Sequence, residues 1–208
     1  MSQFFAIHPV DPQPRLVKRA VELLRSDGVI VYPTDSIYAL GCGLDRKPPM
    51  DRIQQIRRTD RDHNFTLVCR DLSEIGTYAR VDNTSFRLLK AHTPGPYTFI
   101  LRATGEVPRR LLNPRRKTIG IRVPDNAIVR ALLDYHREPI LSSTLLLPDE
   151  EFPLTDPVDI REHLEHQVDA IIDGGNCGLE PTTVVDLSEG APRILRYGRG
   201  DPSVFGEG

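Results

Sequence analysis

GVIVYPTDSIYALGCG, residues 28–43, decides how the rest of the chain is read. Its apolar run Val29-Ile30-Val31-Tyr32 has the length and β-branched content of a buried strand. Pro33 lacks the amide that a sheet ladder needs and stops that strand. Thr34, Asp35 and Ser36 follow, short side chains suited to a turn, and the glycines Gly41 and Gly43 read as part of the same turn region. In α/β proteins, ligands bind where a strand ends in small polar residues and free backbone groups.

Working outward, residues 14–26 predict an amphipathic helix. Leu16, Ala20 and Leu24 form one stripe, and Val17, Val21 and Leu24 the neighbouring one. Asp27-Gly28 ends the helix, Gly28 suiting the left-handed position after it. Further helices are expected at residues 49–57, 72–78, 84–91, 127–135 and 157–166. Strands are expected at 65–69, 97–102, 118–123, 139–147, 168–173, 183–187 and 193–197, and residues 105–116 read as a basic loop or short helix. Strands and helices intermingle throughout, which predicts an α/β fold with a mixed sheet.

The chain has 208 residues and 39% hydrophobic content, which suits one domain over residues 1–208. No stretch approaches membrane-span length, and the first residues, MSQFFAIHPVDPQPRL, lack a basic region followed by an apolar core. A cytoplasmic protein with no membrane partner is therefore expected. Cys42, Cys69 and Cys177 lie far apart without a C-x-x-C, so a disulfide framework or cysteine zinc site is not expected. The net charge of −2 hides a polarity: residues 46–122 hold 17 Lys/Arg against 7 Asp/Glu, whereas Arg161 is the only Lys or Arg in residues 149–189. A basic middle points to a polyanion or phosphate partner.

The phosphate-loop, dinucleotide, zinc-helix and nucleophile-elbow signatures are all absent from the sequence. His163 and His166 are the only neighbouring histidines, and no metal site is expected of them. What stands out is a series of small polar and arginine positions at element ends. They are Thr34, Asp35 and Ser36; Arg57, Arg58, Thr59 and Arg61; Arg122; Ser142, Ser143 and Thr144; Thr182 and Thr183; and Arg196 with Arg199. Arginine forks bind phosphate or carboxylate, and hydroxyls with backbone amides complete such sites. One concave anion site is expected, with no catalytic residue identified.

Seven ordered blocks carry a resemblance. They are the opening stretch, Thr93-Pro-Gly-Pro-Tyr-Thr98, Ile121-Arg-Val-Pro124, Pro139-Ile-Leu-Ser-Ser-Thr144, Asp169-Ala-Ile-Ile-Asp-Gly-Gly175, Pro181-Thr-Thr-Val-Val-Asp186 and Ile194-Leu-Arg-Tyr-Gly198. On these the chain resembles the YrdC-like family of threonylcarbamoyl-AMP synthases over about residues 14–200, and within it the YciO subfamily. The resemblance implies an open, twisted mixed sheet curved around a large concave basic cavity. It implies ATP with Mg²⁺, L-threonine and bicarbonate as ligands, and RNA as a partner. Thr34 and Ser36 then line the wall for the amino acid or its carbamoyl derivative, Arg122 takes its carboxylate, and Thr182, Thr183 and Arg196 belong to the nucleotide side.

The synthases carry K-x-R-P after the second helix and S-x-N after the long strand. In this sequence Arg57 stands for the lysine, Thr59 for the arginine and Asp60 for the proline, while Thr144 stands for the serine and Leu146 for the asparagine. Arginine keeps a charge but not the point geometry of lysine, and threonine and leucine replace neither the phosphate fork nor the amide. The resemblance therefore implies an RNA-binding protein, for tRNA or double-stranded RNA, with a nucleotide pocket around Thr34, Ser36, Arg57, Thr59, Arg122, Ser142, Thr144, Thr182, Thr183 and Arg196. Its expected RNA contacts are Arg57, Arg58, Arg61, Arg109, Arg110, Arg115, Arg116 and Lys117. The alternatives are an active or slow synthase, an enzyme that removes threonylcarbamoyl from tRNA, and a binding relic without turnover.

Overall fold

A computed structural model describes residues 1–59 and 64–206. The strands among them join in one mixed sheet. In chain order the elements are β1 (Gln3–Ala6), α1 (Pro14–Arg25), β2 (Ile30–Tyr32), β3 (Ala39–Gly43), α2 (Lys47–Arg57), β4 (Thr66–Val68), α3 (Leu72–Tyr78), β5 (Ala79–Arg80) and α4 (Asn83–His92). Then come β6 (Tyr97–Ala103), β7 (Thr118–Arg122), α5 (Ala127–His136), β8 (Ile140–Thr144), α6 (Pro157–Leu164), β9 (Ala170–Asp173), β10 (Thr183–Asp186) and β11 (Arg193–Arg196). Across the sheet the order is β1-β9-β2-β3-β8-β4-β7-β6-β10-β11, with β5 paired to β6.

Several helix starts are written in the sequence. Asp71, Asp82, Asn126 and Asp156 cap α3, α4, α5 and α6, each side chain accepting from a backbone amide two or three residues on. The opening stretch departs from its expected form at the glycines. Thr34 does hold a turn: its Oγ1 donates to the Ile37 carbonyl at 2.6 Å and accepts from the Ser36 amide at 3.1 Å. Gly41 and Gly43, however, lie within β3, a fully buried strand that pairs antiparallel with β2 and β8. A Cβ at Gly41 would stand 2.7 Å from the Tyr32 ring, so the glycine admits that ring rather than turning the chain. The strand expected over residues 139–147 ends at Thr144, where the Leu146 amide turns back onto the Thr144 carbonyl.

Strand alternation sorts the core into two layers. On one face Leu40, Leu67, Phe99, Leu101, Ile121, Leu141 and Val185 pack with Ile53 and Ile56 of α2, Ile75 of α3, Leu89 of α4 and Ile160 of α6. On the opposite face α1 brings Val17, Ala20, Val21 and Leu24, and α5 brings Ile128, Val129, Leu132 and Leu133. Those two helices cover Ile30, Tyr32, Val68, Ile140, Ala170 and Ile172. On the rest of that face the alternation continues as Ser142, Thr66, Gly120 and Ile100, one row across β8, β4, β7 and β6. Those four residues line a cavity instead of a helix.

Candidate functional site

The cavity has a volume of about 610 Å³. Its floor is that row, extended by Arg122, Thr98, Thr182 and Val184. One wall is the turn from Ser36 to Ala39, and Arg57 enters from the end of α2. Leu146, Glu151 and Phe152 form one lip, with Leu179 and Leu195 also lining the space. Gly120 keeps the floor low, since a Cβ there would meet Thr66 Oγ1 at 3.2 Å and Ile100 Cδ1 at 3.5 Å.

Arg122 is buried at the end of β7 and forms an ion pair with the equally buried Asp35. It also donates to Ser36 Oγ at 3.4 Å, while Asp35 accepts the Asp125 amide at 2.9 Å. The acidic residue of the opening stretch therefore fixes the arginine of the Ile-Arg-Val-Pro block and the loop after it. Nε of Arg122 is buried without a hydrogen-bond partner among the described residues.

Arg196 donates through Nε and Nη2 to the Thr182 carbonyl at 3.1 and 2.9 Å, and through Nη2 to Thr182 Oγ1 at 3.1 Å. Thr182 Oγ1 shares a 2.8 Å hydrogen bond with Thr98 Oγ1. Burial first, and the Arg122 charge second, push the Arg196 guanidinium below its ordinary range. An anion bound beside Arg196 offsets both effects.

Arg57 is committed differently. Its Nη1 donates to Ser143 Oγ at 3.0 Å and to the Thr144 carbonyl, which fastens it to the end of β8. Burial pushes its guanidinium below the ordinary range as well. Ser142 Oγ accepts from the Tyr32 hydroxyl at 2.7 Å and donates to the Leu40 carbonyl at 3.3 Å. Burial pushes the Tyr32 phenol up to about 12, so it remains a neutral donor in this pair.

Ser36, Arg57, Arg122, Ser142, Thr144, Thr182 and Arg196 all line the cavity, whereas Thr34, Thr59 and Thr183 do not. Thr34 holds the turn described above. The Thr183 hydroxyl donates to the Gly200 carbonyl and accepts the Gly198 amide at 3.1 Å, pinning the chain after β11. The Thr59 amide closes the end of α2 onto the Gln54 carbonyl, and its buried hydroxyl has no partner among the described residues.

Of the expected RNA contacts, Arg58, Arg109, Arg110, Arg115, Arg116 and Lys117 are not part of this lining. Arg58 forms an exposed ion pair with Asp149 at 3.1 Å, and Arg61 lies outside the described residues. Arg110 is engaged by Asp45 at 2.6 Å, and Arg116 by Asp186 at 2.6 Å and Glu189 at 3.5 Å. Arg109, Arg115 and Lys117 are exposed. Among the described residues the cations lining the cavity are Arg57, Arg122 and Arg196, with Glu151 also in the lining and Asp35 paired to Arg122.

Thr66, Thr98, Tyr38 and the apolar residues of the lip and mouth were not expected at the site. Strand parity holds the missing signal: Thr98 and Ile100 alternate with the core residues Phe99 and Leu101. Tyr38 is a cavity residue whose hydroxyl donates to the Gly175 carbonyl at 2.7 Å, tying the wall to the loop after β9.

The family model Sua5_yciO_yrdC, described as "Telomere recombination", matches residues 22–198. A Haemophilus influenzae protein is 62% identical over 206 residues, covering 99% of this chain and 100% of that protein. The crystal structure of Escherichia coli YciO superposes with a TM-score of 0.95 at 58% identity, covering 99% of this chain and 100% of that one. The crystal structure of P. abyssi Sua5 complexed with L-threonine superposes with a TM-score of 0.87 at 22% identity, covering 95% of this chain and 58% of that one. At that identity the last likeness speaks to the fold. Among the described residues no helix is long and apolar enough to cross a membrane.

Proposed function

We propose, for a chain that belongs to the Sua5–YciO–YrdC family, that the cavity binds a nucleoside carrying an amino-acid carboxylate, presented by RNA, in the metabolism of threonylcarbamoyladenosine. The fold is related to threonylcarbamoyl-AMP synthase. The L-threonine complexed with P. abyssi Sua5 supplies the type of amino acid. Ser36, Arg122, Thr182 and Arg196 line one cavity, and the burial that pushes the Arg196 guanidinium below its ordinary range favours an anionic group beside it. The apolar mouth residues Leu179, Leu195 and Phe152 suit the flat, weakly polar part of the ligand.

The observation that carries the reading is the state of Arg57. Its guanidinium serves Ser143 and Thr144 of the protein itself, Thr59 does not line the cavity, and Leu146 lines it with an apolar side chain. This set fits a magnesium-bound triphosphate poorly, because a triphosphate needs several free charge-assisted donors. A ligand that arrives already carrying its carboxylate makes no such demand. The intact Ser36–Arg122 end beside the altered Arg57 end also favours a second reading, removal of the threonylcarbamoyl group from tRNA.

The test is titration calorimetry with three ligands: an anticodon stem-loop bearing threonylcarbamoyladenosine, the same stem-loop unmodified, and ATP with Mg²⁺. The modified RNA is expected to bind at least tenfold more tightly than either of the others. Tight ATP binding with release of labelled threonylcarbamoyl-AMP would replace this reading with that of a synthase. Loss of the modification during incubation would establish the removal reading.

A further inference from the structure

If the ligand is presented by RNA, the polymer needs a path to the mouth, and the basic segment at residues 107–117 does not reach the cavity. β11 does. It is the last strand of the sheet and pairs with β10 alone, so its outer edge is open among the described residues. Residues 190–200, GAPRILRYGRG, contain three arginines and no acidic residue.

The two ends of this stretch are anchored where such a path would begin and finish. At its start Arg193 and Arg116 both reach Asp186 Oδ2, at 3.3 and 2.6 Å, which joins the basic segment to the beginning of β11. Leu195 and Arg196 line the cavity. At the far end the Arg199 amide donates to the Pro181 carbonyl at 2.9 Å, beside the mouth. Between these cations stand exposed apolar and aromatic side chains: Tyr197 is 73% exposed and Leu195 48%. Phe152, which also lines the cavity, is 60% exposed.

From this interleaving we infer that the stretch from Arg193 to Arg199 is the track along which single-stranded RNA lies, with a base stacked on Tyr197 and phosphates on Arg193 and Arg199, delivering the next nucleotide into the cavity. The inference rests on the RNA part of the function proposed above and adds the strand state and the surface. Cations supply sequence-independent contacts, and an exposed ring accepts any unpaired base. A base inside a duplex is not free to stack on a protein ring, so the geometry selects single strands, loops or ends. A second copy of this chain is a poorer occupant of the open edge, since pairing two such strands would bring two sets of arginines together.

Anisotropy titrations of a labelled single-stranded RNA test this, with free threonylcarbamoyladenosine titrated in parallel. Tyr197→Ala is expected to weaken RNA binding about 5- to 150-fold, the loss of one stacked base, while leaving the salt dependence unchanged. Tyr197→Phe keeps the ring and is expected to bind as wild type. Arg199→Ala is expected to reduce the slope of log K against log salt by about 0.7. All three variants should bind the free nucleoside and melt as the wild type does.

Wild-type affinity in both Tyr197→Ala and Arg199→Ala would overturn the track, and loss of binding in an Arg109, Arg115 and Lys117 triple alanine variant would then place RNA on the basic segment. Tighter binding of duplex than of single strands would also overturn it. A dimer in sedimentation experiments that Tyr197→Ala dissociates would assign the edge to a second copy instead. If the wild type binds no RNA, the track falls together with the RNA part of the proposed function, while nucleoside binding would keep the cavity reading.

Discussion

The two halves of one sheet face obey the same alternation and come to opposite ends. Under α1 and α5 the outward positions are Ile30, Tyr32, Val68, Ile140 and Ala170, which bury apolar surface against two helices packed on each other. Farther along the same face they are Ser142, Thr66, Gly120, Thr98, Thr182 and Arg122, and among the described residues no helix covers them. A sheet face without a helix must satisfy its polar groups locally, which here happens through Thr98–Thr182, Tyr32–Ser142 and Arg122–Asp35. The covered half is built for burial; the open half gives up burial to hold polar groups around a space.

Breaking the Arg122–Asp35 pair should show how much structure the open half contains. Asp35→Ala leaves a buried guanidinium without its carboxylate, and removal of one partner of such a pair costs about 3–5 kcal/mol. Urea denaturation should show that loss. If the midpoint barely moves, water reaches Arg122 and the open half is softer than its geometry. The covered half should answer with a cavity penalty. Leu132→Ala, at a fully buried position of α5, is expected to destabilise by about 2–5 kcal/mol. Ile100→Ala, on the cavity floor, should cost only about 1–1.5 kcal/mol, because one side of that residue already faces open space. Equal losses at the two positions would contradict the division.

Filling the space is a gentler intervention. Gly120→Val would place its methyls against Thr66 and Ile100 in the middle of the floor. Overpacking of this kind costs about 1–3 kcal/mol, and here it should appear mainly in ligand affinity, because the added atoms enter the cavity before they enter the core. Calorimetry with the modified stem-loop reads that loss, and unchanged affinity would move the ligand off the floor.

The covered half was legible from the sequence because its signal is periodic. The stripe Val17, Ala20, Val21 and Leu24 is the one that α1 buries. Strand positions such as residues 97–102 were readable from their β-branched and aromatic content, and β6 runs from Tyr97 to Ala103. β3 escaped because its glycines are strand residues for a reason outside the strand, the ring of Tyr32. At the site, residue types pointed to Arg122 and Arg196, but partners decide what an arginine is free to do. Arg116 and Arg110 look like Arg199 in the sequence, and only the fold reveals Asp186 and Asp45 beside them.

One group in the covered half violates its own rule, and it gives the smallest predicted effect. His136 ends α5 buried, with neither ring nitrogen bonded among the described residues. Burial pushes its pKa down, aided by Arg25, which donates to the His136 carbonyl, and opposed by Glu138. A histidine whose folded pKa lies below its unfolded value of about 6.5 takes up its proton more readily in the unfolded chain, so stability is full above that value and falls as pH drops through it. Urea midpoints measured from pH 7.5 down to 5.5 should decline in the wild type more than in His136→Leu, which has nothing there to protonate. Parallel declines in the two proteins would assign the pH dependence to other groups and leave His136 an inert member of the apolar layer.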